Sequence, residues 1–283
     1  MIRYADAMAM RFPEREYAYD TNIAQLYALG IGVGLDAADS SALQYLYEQS
    51  IQALPSLATV VAWEDTWLEA IELDLTKVVH GEQRITLHQP LPVSGKLRSR
   101  FRLRDIFDKG PGKGAIVLAE TQLFDAATDA LLATLLSSVF ARGDGGFGGE
   151  PGPVPPMRPV PERKPDATLL SPTMPNQAAL YRLSGDRNPL HIDPAFASKA
   201  GFPKPILHGL CVFGMANYAL IRLAAAGDAA QLEHFEARFS APFYPGETLL
   251  TEIWQLTEHD IAFRCLSAER NLVVLDRGNA RLR

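Results

Sequence analysis

Residues 143–165 read "GDGGFGGEPGPVPPMRPVPERKP". Proline lacks the backbone donor and glycine lacks restraint, so neither a helix nor a central strand propagates through such a run. The chain therefore divides into an N-terminal unit, 1–142, and a C-terminal unit, 166–283, joined by a linker. The glycine part of that linker is expected to be flexible and the proline part stiff and extended. With 283 residues, 47% of them hydrophobic, the chain can bury two ordinary cores.

The two units echo one another. "NIAQLYAL" (22–29) stands opposite "NQAALYRL" (176–183), "LPSLATVV" (54–61) opposite "KPILHGLC" (204–211), and Gly95 opposite Gly246. Three matches in order, at a nearly constant spacing of about 150 residues, point to duplication of one domain-sized unit. Each copy reads as a short helix around its Asn-x-Ala-x-Leu-Tyr element. A second helical run follows, about 56–70 in the first copy and 209–226 in the second, and then four strands. The strands "EQRITLHQPL", "KLRSRFRLRDIFDKG", "GAIVLAETQLFDA" and "ALLATLLSSVFAR" have as counterparts "HFEARFSAPFY", "ETLLTEIWQLTEH", "DIAFRCLSAER" and "NLVVLDRGNARLR". Near-alternation of apolar and polar residues, with turn residues between, makes these antiparallel strands and the class α+β. The run "GLCVFGMANYALIRLAAAG" is apolar nearly all round, as in a helix enclosed by a curved sheet. Its first-copy counterpart, "ATVVAWEDTWLEA", is interrupted by Glu64 and Asp65 and should be shorter or less enclosed.

A net charge of −6 without a long basic run gives no nucleic-acid footprint. The apolar runs are too short and too charged for a membrane span. Cys211 and Cys265 lie far apart in apolar surroundings; a disulfide is conceivable, but two buried thiols in a reducing compartment is the reading adopted. "MIRYADAMAMRFPER" is too polar for a secretory leader, and "RLR" is not a peroxisomal address, so a cytoplasmic protein is expected.

Chemistry concentrates in "YRLSGDRNPLHIDPAFA" (181–197). Gly185 ends a helix and Pro189 prevents its resumption, leaving Asp186, Asn188 and His191 on a loop held at both ends. Such residues could form a tight turn and nothing more, and His191 could be a structural histidine. The duplication favours function: "IGVGLDA" (31–37), opposite Gly185–His191, has neither acid nor histidine at the matching places. An aspartate and a histidine exchange protons near neutral pH and can together position one water. No serine or cysteine elbow and no HxxxH or CxxC pattern appears, which argues against acyl-enzyme and metal chemistry. Gly209 opens the buried helix, where a free N–H would suit an oxygen gaining negative charge, although close packing alone could also explain a glycine there. Proton exchange beside such a donor is what adding or removing water across an α,β-unsaturated thioester requires.

The segment "YRLSGDRNPLHIDPAFA" with "AGFPKPILHGLCVFG" resembles the (R)-specific enoyl-CoA hydratases, the hydratase 2 group of MaoC-like dehydratases. "YALGIGVG", "LPSLATVV" and "VVHGEQRITLHQPLP" extend the resemblance through the first half. The resemblance implies a double hot-dog fold, with two curved antiparallel sheets each wrapped on a helix and joined to one another. It further implies that Asp186 and His191 hold the water with Asn188 in support, and that Gly209 donates its N–H to the thioester oxygen. His80, Gly81, Lys109 and Phe239 would contact the acyl-CoA, Lys109 through a CoA phosphate. This chain departs from the family in reading "DKGPGKGA" for a shorter "DKGxGA", which leaves that loop and the role of Lys113 open. The implied reaction is reversible hydration of trans-2-enoyl-CoA to (3R)-3-hydroxyacyl-CoA, with the thioester as substrate and no cofactor. The interrupted helical run of the first half would leave room for medium-to-long or bulky acyl chains, and exposed sheet edges of such a fold lead to the expectation of a homodimer. Alternatives are a 3-hydroxyacyl thioester dehydratase of fatty-acid or polyketide synthesis, or a non-catalytic acyl-CoA-binding protein.

Overall fold

The computed structural model describes residues 2–152 and 156–283. The N-terminal half runs α1 (Tyr4–Ala9), β1 (Arg15–Tyr19), α2 (Thr21–Gly30), α3 (Leu43–Leu46), α4 (Thr66–Ala70), β2 (Val78–Leu87), β3 (Gly95–Asp108), β4 (Ala115–Asp125) and β5 (Leu131–Ala141). The C-terminal half runs β6 (Ala167–Pro172), α5 (Gln177–Tyr181), α6 (Pro194–Lys199), α7 (Gly209–Ala224), β7 (Leu232–Phe239), β8 (Thr248–Gln255), β9 (Asp260–Ser267) and β10 (Leu272–Leu282).

Period-2 patterning builds the sheet. In β3, Leu97, Ser99 and Leu103 turn inward, while Arg98, Arg100, Arg102 and Arg104 face outward and pair with Glu14, Asp129 and Glu120. The strands form one antiparallel sheet in the order β1-β3-β4-β5-β2-β7-β10-β9-β8-β6. That order is a palindrome of the duplication: β1 answers β6, β3 answers β8, and β2 meets its counterpart β7 at the seam. Across the seam, in the register Arg84↔Glu236, Arg84 reaches both Glu82 and Glu236 at 3.2 Å, and Arg238 meets Glu82 at 2.6 Å. Both acids are largely buried, so each cation is needed where it stands. The fold is the expected double hot-dog, with the two curved sheets fused edge to edge.

The halves differ in what the sheet encloses. In the C-terminal half α7 is buried continuously from Leu210 to Ile221 and packs on β6, β7 and β8. In the N-terminal half the helical run expected at 56–70 is broken into a 3₁₀ turn, Pro55–Thr59, and the five-residue α4. Glu64 and Asp65 mark the break: Glu64 pairs with Arg15 and caps the N–H of Thr66 at 2.9 Å instead of continuing a helix. The edge strands β1 and β6 were not anticipated; both are short, at five and six residues.

The two Asn-x-Ala-x-Leu-Tyr elements, α2 and α5, pack on each other, with the Tyr27 and Tyr181 rings 6.1 Å apart. Gly214 lets α2 approach α7: a Cβ there would lie 2.5 Å from Tyr27 Oη and 2.8 Å from Ile31 Cγ2. Gly214→Val is therefore expected to cost about 1–3 kcal/mol, read as a fall in the urea midpoint with the far-UV signal of the sheet retained.

The glycine part of the 143–165 segment is docked on the N-terminal half. The Asp108 carboxylate accepts N–H groups from Gly110, Gly146, Gly148 and Gly149 at 2.7–3.3 Å, which holds its carboxyl below the usual range. A Cβ on Gly145 would sit 2.4 Å from the Gly110 and Gly114 carbonyl oxygens, so only glycine permits this docking. Of the proline part, 153–155 lies outside the described residues. Beyond it, Met157 is buried, and the Arg163 carbonyl accepts the Trp254 indole N–H at 2.8 Å. Cys211 and Cys265 are free buried thiols.

Candidate active site

The loop after α5 is shaped by one glycine and one proline. Gly185 has φ +146°, and a Cβ there would lie 3.0 Å from Trp63 Cβ, so the loop turns tightly against the N-terminal half. Asp186 follows. Its Oδ1 accepts the Asn188 N–H at 3.0 Å, which leaves Oδ2 facing His191 Nε2 at 3.9 Å. The Asn188 side-chain oxygen accepts the Leu190 N–H at 2.9 Å and caps the 3₁₀ turn Pro189–His191. Asn188 thereby fixes the turn that carries His191.

His191 is buried, and its Nδ1–H donates to the Ile206 carbonyl at 2.9 Å. That bond sets the tautomer: Nε2 keeps its lone pair and aims at the space shared with Asp186 Oδ2. Burial lowers the His191 pKa, opposed by the Asp186 charge, so the ring is neutral near pH 7. A separation of 3.9 Å is too long for a direct hydrogen bond and suits two acceptors gripping one water.

His208 was not singled out from the sequence. It stacks on His191 with centroids 3.7 Å apart, and its Nε2–H donates to the Asp186 backbone carbonyl at 3.2 Å. Burial pushes its pKa down to about 2. It is a neutral ring clamping both members of the pair. Ligand atoms of Asp186, His191 and His208 lie within 4.8 Å of one another. The two rings are nearly parallel, at 28°, so their in-plane lone pairs do not converge well on a single ion. The signal for His208 lay in its place directly before Gly209, at the cap of a buried helix.

Gly209 opens α7. Its N–H has no acceptor among the described residues, and a Cβ would meet the Phe239 ring at 3.1 Å. Phe239 in turn contacts His80 at 4.7 Å between centroids. The His80 Nε2 is buried without a partner among the described residues, and burial lowers its pKa to about 4. Asp186, Asn188, His191, Gly209, Phe239 and His80 thus line one cavity of about 440 Å³, a size suited to a small-molecule ligand. The cavity continues into the N-terminal half past Trp63, Trp67, Phe101 and Leu135, through the space opened by the broken helical run.

Two expected contacts are not brought into this cavity. Gly81 is the bulge of β2, where pairing with β5 slips between His80 and Glu82; a Cβ there would crowd the Ser138 carbonyl at 3.2 Å. It aims His80 without lining the cavity. Lys109 also lies outside the cavity lining. Its ammonium is hydrogen-bonded to the Pro151 carbonyl and stands over the Phe107 ring, because the longer DKGPGKGA loop is folded back onto the 143–152 segment.

Three histidines held as neutral rings, His191 and His208 buried and His80 partly so, give a pH dependence with a fixed sign. Each has its folded pKa below the unfolded value of 6.5, so the unfolded chain binds more protons as pH falls. The stability they contribute is present above about pH 6.5 and is lost on acidification by about 1.4 kcal/mol per unit per group. For His80 the loss ends near pH 4 and for His208 near pH 2. Urea midpoints measured between pH 7 and 5 should fall, and His208→Gln should flatten that slope.

These features define a duplicated hot-dog protein in which one half carries the Asp186–His191 loop and the other a chamber. A family model described as "MFE-2 hydratase 2 N-terminal domain" matches residues 17–143, and one described as "MaoC like domain" matches 156–275. Enoyl-CoA hydratase ChsH3 of Mycobacterium tuberculosis is 40% identical over 275 residues, 95% of each chain. The 3-hydroxyacyl-thioester dehydratase Y of the same organism is 43% identical over 84% of this chain and 83% of its own. The crystal structure of a MaoC-like dehydratase from Phytophthora capsici superposes with a TM-score of 0.87 at 32% identity, covering 99% of this chain and 98% of that one. The chain belongs to the MaoC-like family, in the hydratase 2 branch that carries the second, N-terminal domain. Among the described residues, no helix is long and apolar enough to cross a membrane.

Proposed function

We propose that this hydro-lyase adds water to trans-2-enoyl-CoA to give (3R)-3-hydroxyacyl-CoA, reversibly, with the chemistry in the C-terminal half and acyl binding in the N-terminal half. The observation that carries this reading is the pair of acceptors, Asp186 Oδ2 and His191 Nε2, on the same cavity wall as the unpartnered Gly209 N–H.

A water donating both hydrogens to that pair presents its lone pair to C3 of the substrate. As the new C–O bond forms, one of the two acceptors takes a water proton, and charge moves through the conjugated system onto the thioester oxygen. The Gly209 N–H, at the positive end of α7, receives that charge. The proton returns from the pair to C2, on the same face, so addition is syn and no cofactor is needed. Run backwards, the same groups eliminate water from a 3-hydroxyacyl thioester. Asn188 and His208 hold the pair in place, and His80 and Phe239 form the wall against which the thioester lies.

The chamber past Trp63 and Trp67 favours medium-to-long or bulky acyl chains over four-carbon ones. A cytoplasmic setting is supported by two thiols that remain free. The outer strands β1 and β6 offer edges for pairing with a second copy, which sedimentation would reveal. Hydration of enoyl-CoAs of increasing length, followed by loss of the conjugated chromophore and with product stereochemistry resolved, tests the reading. The expected outcome is an R product and a kcat/KM that rises with chain length; an S product, or no turnover at any length, contradicts it.

A further inference from the structure

The floor of the N-terminal chamber is not uniformly apolar. Gln83 on β2, Ser137 on β5, Thr121 on β4 and Ser99 on β3 all face the cavity. They sit on four consecutive strands of the sheet. Their registers place them on a diagonal: Gln83 is opposite Ser137, Ser137 opposite Ala119 two residues from Thr121, and Thr121 opposite Phe101 two residues from Ser99. With strands about 4.8 Å apart, the row crosses roughly 14 Å of floor. The inward positions around it are hydrocarbon: Leu97, Leu103, Leu123, Leu135 and Val139.

At one end the row satisfies itself. Ser137 Oγ donates to Gln83 Oε1 at 2.7 Å, and Gln83 Nε2 donates to the Arg84 carbonyl at 3.0 Å. At the other end it does not. Ser99 is only 6% exposed and Thr121 is half-buried; both line the cavity, and neither hydroxyl is hydrogen-bonded to another described residue. A plain hydrocarbon laid across these hydroxyls would keep them from water and offer nothing in return, which is the costly way to bury a polar group.

We propose that the chamber recognises acyl chains bearing an oxygen function, a hydroxyl or oxo group, part-way along the tail, with Ser99 and Thr121 as the hydrogen-bonding partners. This rests on the acyl-CoA reading above and narrows its substrate class. A hydroxyl or carbonyl oxygen over the Ser99–Thr121 end completes the unpaired hydroxyls, while the surrounding leucines and Val139 enclose the carbon skeleton.

The test compares plain medium-chain enoyl-CoAs with counterparts hydroxylated at successive tail positions, by kcat/KM, and titrates the matching saturated thioesters calorimetrically. At one position the hydroxyl should raise kcat/KM and tighten binding about tenfold, the worth of one neutral hydrogen bond. The Ser99→Ala/Thr121→Val double variant should bring the ratio of oxygenated to plain substrate back towards one. Equal or weaker binding of the oxygenated thioester at every position, or a preference that survives in the double variant, overturns the proposal. Should that variant not fold, the wild-type ratios decide alone. If the protein hydrates no enoyl-CoA, the hydratase reading falls instead, and the titration still decides what the chamber prefers.

Discussion

Asp186→Asn and His191→Ala are each expected to lower kcat for enoyl-CoA hydration by about 10²–10⁴. The double variant should be little worse than the weaker single one, because the two groups act on one water. Asparagine keeps an acceptor for the Asn188 N–H but cannot take a proton, so the loop stays while the chemistry goes. Removing His191 also leaves the Ile206 carbonyl without its donor, a cost of about 1–3 kcal/mol. Thermal midpoints recorded beside the kinetics separate the two effects. Near-normal turnover in both single variants would remove Asp186 and His191 from the mechanism.

Ala119→Phe should close the N-terminal chamber. Ala119 is buried on β4, lines the cavity, and lies between Ser137 on β5 and Leu103 on β3. A ring there occupies the space left by the broken helical run, so kcat/KM for long acyl chains is expected to fall by about 10² or more, equivalent to losing about 3 kcal/mol of tail binding. The four-carbon substrate, whose tail ends near His80 and Gly209, should fall far less. Overpacking itself costs about 1–3 kcal/mol, so the comparison is between substrates on one folded variant. A uniform loss across chain lengths would show that the acyl chain does not enter this half.

Much of this was legible in the sequence because it was repeated or broke a pattern. Two copies of an Asn-x-Ala-x-Leu-Tyr element fixed the duplication, and they pack against each other as α2 and α5. Glu64 and Asp65 announced the missing helix because charges do not fit inside a sheet's curve. Asp186, Asn188, His191 and Gly209 fell together because proline and glycine confine them to one loop and one helix start.

What escaped depends on contacts remote in sequence. His208 acts through stacking on His191 and a bond to the Asp186 carbonyl, neither visible in "LHGLC" alone. The glycines after 143 look like a flexible run until Asp108 gathers their N–H groups. The same docking draws Lys109 to the Pro151 carbonyl and away from the cavity, which the two extra residues of "DKGPGKGA" hinted at without specifying. The polar row on the chamber floor needs strand register, since Ser99, Thr121, Ser137 and Gln83 share no sequence motif.

The most direct measurement is a crystal structure of the Asp186→Asn protein holding a trans-2-enoyl-CoA. The thioester oxygen should lie within hydrogen-bonding distance of the Gly209 N–H, about 2.7–3.1 Å. C3 should face a water held by residue 186 and His191 Nε2, and the tail should enter past Trp63. An acyl carbonyl seated away from α7, or a C3 turned from His191, would contradict the account.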